Sequence, residues 1–165
     1  MHLDIMFYIH NLFIEALKIL EECIDHTPTA IDIVQRQARI LKKAGDLSGA
    51  ADLMDKARQM DLADRYVNNK TTKYLLRADR VEEAQNVIGL FTRHEGDPQY
   101  NLFEMQCMWY ELEWAESHLR QKKYGPALKK FAAIEKHFSD FVEDQFDFHT
   151  YCIRKMTLRV YVDIL

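Results

Sequence analysis

Arg36, Arg39 and Lys43 stand at i, i+3 and i+7, which puts them on one face if the segment is a helix. Lys70, Lys73 and Arg77 repeat the pattern, each displaced by 34 positions from its counterpart. Between Arg36 and Arg80 there are eleven basic residues against six acidic ones, an excess of +5. The chain as a whole carries −4, so the remainder carries −9. Two basic stripes held side by side form an anion site, because like charges that close are tolerable mainly when a polyanion or an acidic partner neutralises them. Solvated surface lysines and arginines would give the same residue types, and the pattern leaves both readings standing. The acidic overall balance argues against binding nucleic acid by charge.

Other residues with chemical potential are less well placed. None of Gly45, Gly49, Gly89, Gly96 and Gly125 sits in a P-loop, a dinucleotide fingerprint or a nucleophile elbow. His149 and Cys152 are three apart and can share a helix face as metal ligands do, but no other His or Cys lies close in sequence, so ordinary packing is expected. Glu111 and Glu113 point to different faces of a helix, and with Glu116 they are expected on a solvated charged face rather than in acid–base chemistry. The helical spacing of Trp109, Tyr110 and Trp114, with Phe103 nearby, fits a buried seam better than a ligand cage. The run FSDFVEDQFDFHTY alternates acidic and aromatic residues. It reads either as a docking surface or as a connector whose Phe146 and Phe148 tuck into the fold. Cys23, Cys107 and Cys152 are odd in number and form no CxxC pair, which suits reduced, mostly buried thiols of a cytosolic protein. The sequence therefore offers no catalytic residue, no metal site and no cofactor loop.

The elements that must carry these residues are helices. Only 5 Gly and 3 Pro among 165 residues are too few turn formers for a sandwich or barrel, and the size suits one domain or one stretch of a larger array. The opening twenty residues are apolar but interrupted by Asp4, His10, Asn11, Glu15 and Lys18, so neither a signal peptide nor a membrane span is expected. Ala16, Ala50 and Ala84 are 34 residues apart. Each has an apolar residue three positions earlier (Phe13, Leu47, Val81) and another four later (Leu20, Met54, Ile88). A 34-residue period with a small residue between apolar ones is the signature of the tetratricopeptide repeat, in which paired helices cross closely at the small position. Gly45, between Ala44 and Asp46, supplies the turn between two such helices, and Ala127, 43 residues after Ala84, repeats the contact with Tyr124 and Phe131 around it. Helices are predicted over 2–10, 12–26, 29–44, 46–60, 63–78, 80–93, 101–122, 124–138 and 145–164. They group into a degenerate unit (1–26), two repeats (27–60 and 61–96), an extended repeat with a long first helix (97–139) and the first helix of a following unit (140–165). The fold class is all-α, a right-handed tetratricopeptide superhelix, with both basic stripes on its inner side. The apolar helices at either end lack polar capping surfaces, as in an interior segment of a longer array or one whose ends associate with something.

The runs LADRYVNNKTTKYLLRADRVEEA, NLFEMQCMWYELEWAES, YGPALKKFAAIEKHF and EDQFDFHTYCIRKMTLRVYVDIL closely resemble the auxiliary subunit of the eukaryotic N-terminal acetyltransferase A complex, over roughly residues 15 to 165. The resemblance implies a non-catalytic cytoplasmic scaffold that holds a catalytic acetyltransferase subunit and anchors it at the ribosome. It also implies inositol hexakisphosphate as a structural ligand in a basic pocket. Arg65, with Lys70, lies in the matching DRYVNNK run and joins the candidate set of Arg36, Arg39, Lys43, Lys73 and Arg77. The glycine-rich loop that an acetyltransferase uses to hold its cofactor's pyrophosphate is not visible here. A rival reading, a generic tetratricopeptide adaptor for peptide or chaperone C-termini, is weakened by Asp32 and Gln35 at positions where polar clamp residues would stand.

Overall fold

The computed structural model describes residues 2–92, 96–144 and 147–165, with residues 2–11 described as backbone only. Every regular element among them is an α-helix, and none is long and apolar enough to cross a membrane. The chain divides into two compact units, Met1–Ala78 and Asp79–Leu165.

The first unit holds α1 (His2–His26), α2 (Ile31–Ala44), α3 (Leu47–Met60) and α4 (Arg65–Arg77), each packed on the next. Carboxylates fix two of the starts. Asp46 accepts from the Gly49 amide at 2.8 Å, and Asp64 accepts from those of Tyr66 (2.7 Å) and Val67 (3.2 Å), satisfying donors that the first helical turn leaves open. Val34, Ala57 and Val67 form the core, with Ile24, Ile31, Leu53 and Met60 packed around them. The Thr71 hydroxyl lies 3.0 Å from the carbonyl oxygens of Met54 and Val67, tying α4 to α3 inside the protein.

Helices in this chain stop by a recurrent device. Gly45 has φ 95°, and the Asp46 amide reaches back to the Leu41 carbonyl at 3.0 Å. Asp79 (φ 61°) and Lys122 (φ 61°) adopt the same left-handed conformation, and the Lys123 amide closes on the His118 carbonyl at 2.8 Å. Each of the three lies five residues before a small contact residue: Gly45 before Ala50, Asp79 before Ala84, Lys122 before Ala127. Those alanines are buried, as are Ala51, Ala57 and Ala115, whereas Ala16 in α1 is only half-buried.

The second unit holds α5 (Val81–Gly89), α6 (Pro98–Glu104), α7 (Met108–Arg120), α8 (Tyr124–Glu143), α9 (Phe148–Cys152) and α10 (Leu158–Ile164). The α7–α8 hairpin is its frame. Met108, Ile134, Phe141, Cys152 and Val160 make the core, with Leu112, Phe138, Phe148, Tyr151 and Tyr161 against it. Asp79 accepts from the Ser117 hydroxyl at 2.8 Å and meets Arg120 at 2.9 Å, fastening the turn before α5 to the end of α7.

Five predicted helices differ from the structure. Segments 2–10 and 12–26 are one helix, α1, since no glycine or proline precedes Pro28 to interrupt it. The long helix 101–122 is split into α6 and α7 at Gln106 (φ 53°), where the Cys107 amide returns to the Leu102 carbonyl at 3.0 Å and the chain buries Cys107 and Met108. The helix predicted over 145–164 is two short ones. Between them the Met156 carbonyl accepts from the Trp109 amide at 3.2 Å, turning the chain onto the start of α7. In the segment predicted over 80–93 the helix ends at Gly89, and residues 90–92 are a turn.

Two stability changes follow from this packing. Ala50→Leu should lower unfolding free energy by about 1–3 kcal/mol through overpacking of a fully buried contact. Gln59→Leu, on the exposed side of the same helix, should stay within about 0.5 kcal/mol of the parent. Urea titration monitored by helix signal checks both, and equal midpoints would refute the close crossing. Lys122→Gly should raise stability by about 0.5–1 kcal/mol by relieving left-handed strain, and Lys122→Val should lower it; a stabilising valine would contradict the observed turn.

Candidate functional site

The basic residues of the first unit stand on α2 and α4. Val34 and Ala38 turn one face of α2 into the core, so Arg36, Arg39 and Lys43 are left on its exposed side. On α4 the buried face is Val67, Thr71, Tyr74 and Leu75, and Lys70, Lys73 and Arg77 are half-buried at its margin.

These cations converge on Lys42. Burial lowers the Lys42 pKa first, and the charges of Arg77, Lys70, Arg39 and Lys43 lower it further. Its ammonium stands 5.2 Å from the centre of the Tyr74 ring, and that of Lys70 stands 5.3 Å from Tyr66. Burial raises the Tyr74 phenol, with Arg39 and Arg77 pulling the other way.

Five of the segment's six carboxylates are used elsewhere. Asp46 and Asp64 cap helices, Asp61 accepts from the Ala63 amide, Asp55 is held by Arg58 at 2.7 Å, and Asp79 is held by Ser117 and Arg120. Among the described residues, Arg36, Arg39, Lys42 and Lys43 form no ion pair. Four cations on one helix without a carboxylate partner, facing two more from α4, make a site whose electrostatics favour a multivalent anion.

Of the candidate residues, Arg39, Lys43, Lys70 and Arg77 are thus brought together. Arg36 stands with Arg39 beside the groove between α1 and α2. Arg65, exposed in the first turn of α4, and Lys73 lie outside the set whose charges act on Lys42. Lys42 and Tyr74 were missed. Position 42 maps under the 34-residue step onto Leu76, so a search for basic pairs in register passes over it. Its spacing of three from Arg39 was the available signal.

In the second unit the expectation of a solvated acidic face fails for two residues, since Glu111 and Glu113 are buried. Glu111, 0% exposed, lies 3.1 Å from His137 Nε2 and 3.7 Å from Lys130 Nζ. Both of these neighbours belong to α8, so the Glu111 side chain is enclosed within the α7–α8 hairpin. Tyr110 is buried and donates to Gln99 at 3.1 Å, Trp114 stacks on His118 at 3.6 Å, and Lys130 lies over Trp114 at 5.8 Å, so this aromatic group is a helix–helix seam. Burial pushes the Cys107 thiol up to about 12, which makes it a poor nucleophile. Cys152 is buried, Cys23 is exposed, and no group of three metal-ligating side chains occurs among the described residues. Phe148 packs on the core beside Tyr161, while Phe146 lies outside the described residues.

Comparison with known proteins adds a family to this geometry. The family model described as N-terminal acetyltransferase A, auxiliary subunit, matches residues 1–165. The N-terminal acetyltransferase A complex auxiliary subunit NAA15 of Arabidopsis thaliana is 57% identical over 150 residues, covering 91% of this chain and 17% of that protein. The human N-alpha-acetyltransferase 16, NatA auxiliary subunit, is 47% identical over the same shares. A solved structure of Naa15/Naa10 bound to HypK-THB superposes with a TM-score of 0.79 at 42% identity, covering 92% of this chain and 23% of that one. This chain thus spans about a sixth of the length of the curated relatives it matches. Matched along its whole length by the family model, it belongs to the family of N-terminal acetyltransferase A auxiliary subunits.

Proposed function

We propose that this chain is a segment of the non-catalytic scaffold of an N-terminal acetyltransferase complex. In this reading the scaffold holds the catalytic acetyltransferase subunit and helps to anchor it at the ribosome, in the cytoplasm, for co-translational N-terminal acetylation. The partner assignment draws support from the solved relative, which is Naa15/Naa10 bound to HypK-THB. The division into units 1–26, 27–60, 61–96, 97–139 and 140–165 belongs to the same reading, with Gly45, Asp79 and Lys122 as the helix stops inside them.

The basic cluster on α2 and α4 is the ligand-binding part of the proposal. The observation that carries it is the convergence of Arg39, Lys43, Lys70 and Arg77 on Lys42. Inositol hexakisphosphate fits because it is compact and polyanionic, so one ligand can neutralise all five groups at once. Arg36, Arg65 and Lys73 are outer members that add to the attractive field. Bound anion would stabilise charged Lys42 and raise its pKa again, so binding at alkaline pH is accompanied by proton uptake.

Calorimetry with inositol hexakisphosphate tests the site. Binding is expected at low salt and should weaken steeply at moderate salt, since these charges are partly exposed. Lys42→Glu with Arg77→Glu should remove it, while Lys129→Glu with Lys155→Glu, exposed positions of the other unit, should leave it in place. Undiminished affinity in the Lys42/Arg77 variant would refute the site.

A further inference from the structure

An amine attacks an acyl carbon only after it has shed its proton, and a lysine is poised to do so where burial and neighbouring cations oppose its charge. Lys42 meets both conditions. It is half-buried, with Nζ 5.2 Å from the centre of the Tyr74 ring. Burial, and then the charges of Arg77, Lys70, Arg39 and Lys43, make its proton easier to lose. It forms no ion pair among the described residues, whereas Lys136 is paired with Asp140 at 3.0 Å. Arg39 and Arg77 also act on the Tyr74 hydroxyl, as does Tyr66, whose ring lies 5.3 Å from Lys70 Nζ. Helices α2 and α4 thus build one cluster around the amine.

The same cations select the reagent. An acyl phosphate carries its reactive carbon one oxygen away from the phosphorus, so groups that hold the phosphate bring that carbon to an amine standing among them. They also favour departure of the phosphate, whose negative charge grows as its bond to carbon breaks. The Lys42 lone pair forms the new N–C bond and the C–O bond to phosphate breaks. Inorganic phosphate leaves with the electron pair, and the surplus proton of the amine passes to it or to water. No oxidant or further reactant is needed.

We propose that Lys42 is a modification site for acyl phosphates: Arg39, Lys43, Lys70 and Arg77 hold the phosphate, the Lys42 amine takes the acyl group, and the uncharged product binds polyanions less well. The acylation goes beyond the scaffold reading and rests on the cluster alone; only its effect on inositol hexakisphosphate rests on the ligand reading above. The amide removes the central charge and with it the repulsion among the five cations. Conversely, a bound polyanion covers the cluster and returns the proton to Lys42, so ligand and modification exclude each other.

Incubating the full 165-residue chain with acetyl phosphate and mapping the adducts by mass spectrometry tests the site. Lys42 should be acetylated about tenfold faster than exposed Lys129 and Lys155. Its rate should climb with pH and level off below the ordinary lysine value of 10.5. With p-nitrophenyl acetate, an acyl donor without a phosphate, that lead should shrink several-fold. Excess inorganic phosphate should slow Lys42 and leave Lys129 unaffected. Lys70→Gln with Arg77→Gln, at unchanged helix content, should also slow Lys42, since both the hold on phosphate and the supply of neutral amine fall. The acetylated chain, or Lys42→Gln in its place, should bind inositol hexakisphosphate about tenfold more weakly than the parent. If the parent binds no inositol hexakisphosphate, the ligand reading fails while the acylation rates still decide the site. Lys42 reacting no faster than Lys129 overturns the site, as does a lead untouched by loss of the phosphate or by competing phosphate. Undiminished polyanion binding by the acetylated chain overturns the mutual exclusion.

Discussion

Two helices can cross at close range only where the side chain at the contact is no larger than a methyl group, and the chain must first be turned back on itself to bring them there. Both conditions are met by pairs of residues five apart. A left-handed residue stops one helix, and a buried alanine five positions later accepts the neighbour. Gly45 with Ala50 and Lys122 with Ala127 are two instances of one arrangement, each closed by a backbone hydrogen bond across the turn. From this constraint comes the placement of everything else. It fixes where α2 stands against α3 and thus which side of α2 is left to carry charge.

The charge is then set by what the acidic residues are already doing. Six carboxylates lie between Arg36 and Arg80, and the fold spends five of them on helix starts, turns and local pairs. That leaves Arg36, Arg39, Lys42 and Lys43 of α2 without an ion pair among the described residues, and α4 adds Lys70 and Arg77 to the same place. The second unit treats an acidic side chain differently, enclosing Glu111 between His137 and Lys130 within the α7–α8 hairpin.

Much of this was readable in the residues, and the failures share a cause. The period of 34 exposed the helix pairs and put Arg36, Arg39 and Lys43 in register with Lys70, Lys73 and Arg77. The stop at Gly45 was visible because glycine adopts a left-handed conformation without strain. The stops at Gln106 and Lys122 carry ordinary side chains, so only tertiary packing, which compensates the strain, reveals them. The turn at Lys122 was still placed by its neighbour Ala127, whereas the break at Gln106 had no such neighbour and a single long helix was expected. Glu111 misled for a related reason: its two partners lie 19 and 26 positions away on α8, a distance at which no local pattern speaks. Lys42 was overlooked because its partners are set by the facing of α2 and α4 rather than by the repeat.

Lys42 is therefore where the account is most exposed. If α2 and α4 face each other as described, its ammonium sits among four other cations and against a tyrosine ring, and its proton must be lost more easily than that of a free lysine side chain. Titration of the Lys42 side-chain resonances by NMR measures this without any ligand. The account predicts a midpoint below the ordinary lysine value of 10.5, moving upward when Arg77 is replaced by Ala. A midpoint at or above the ordinary value, unmoved by that replacement, would contradict it.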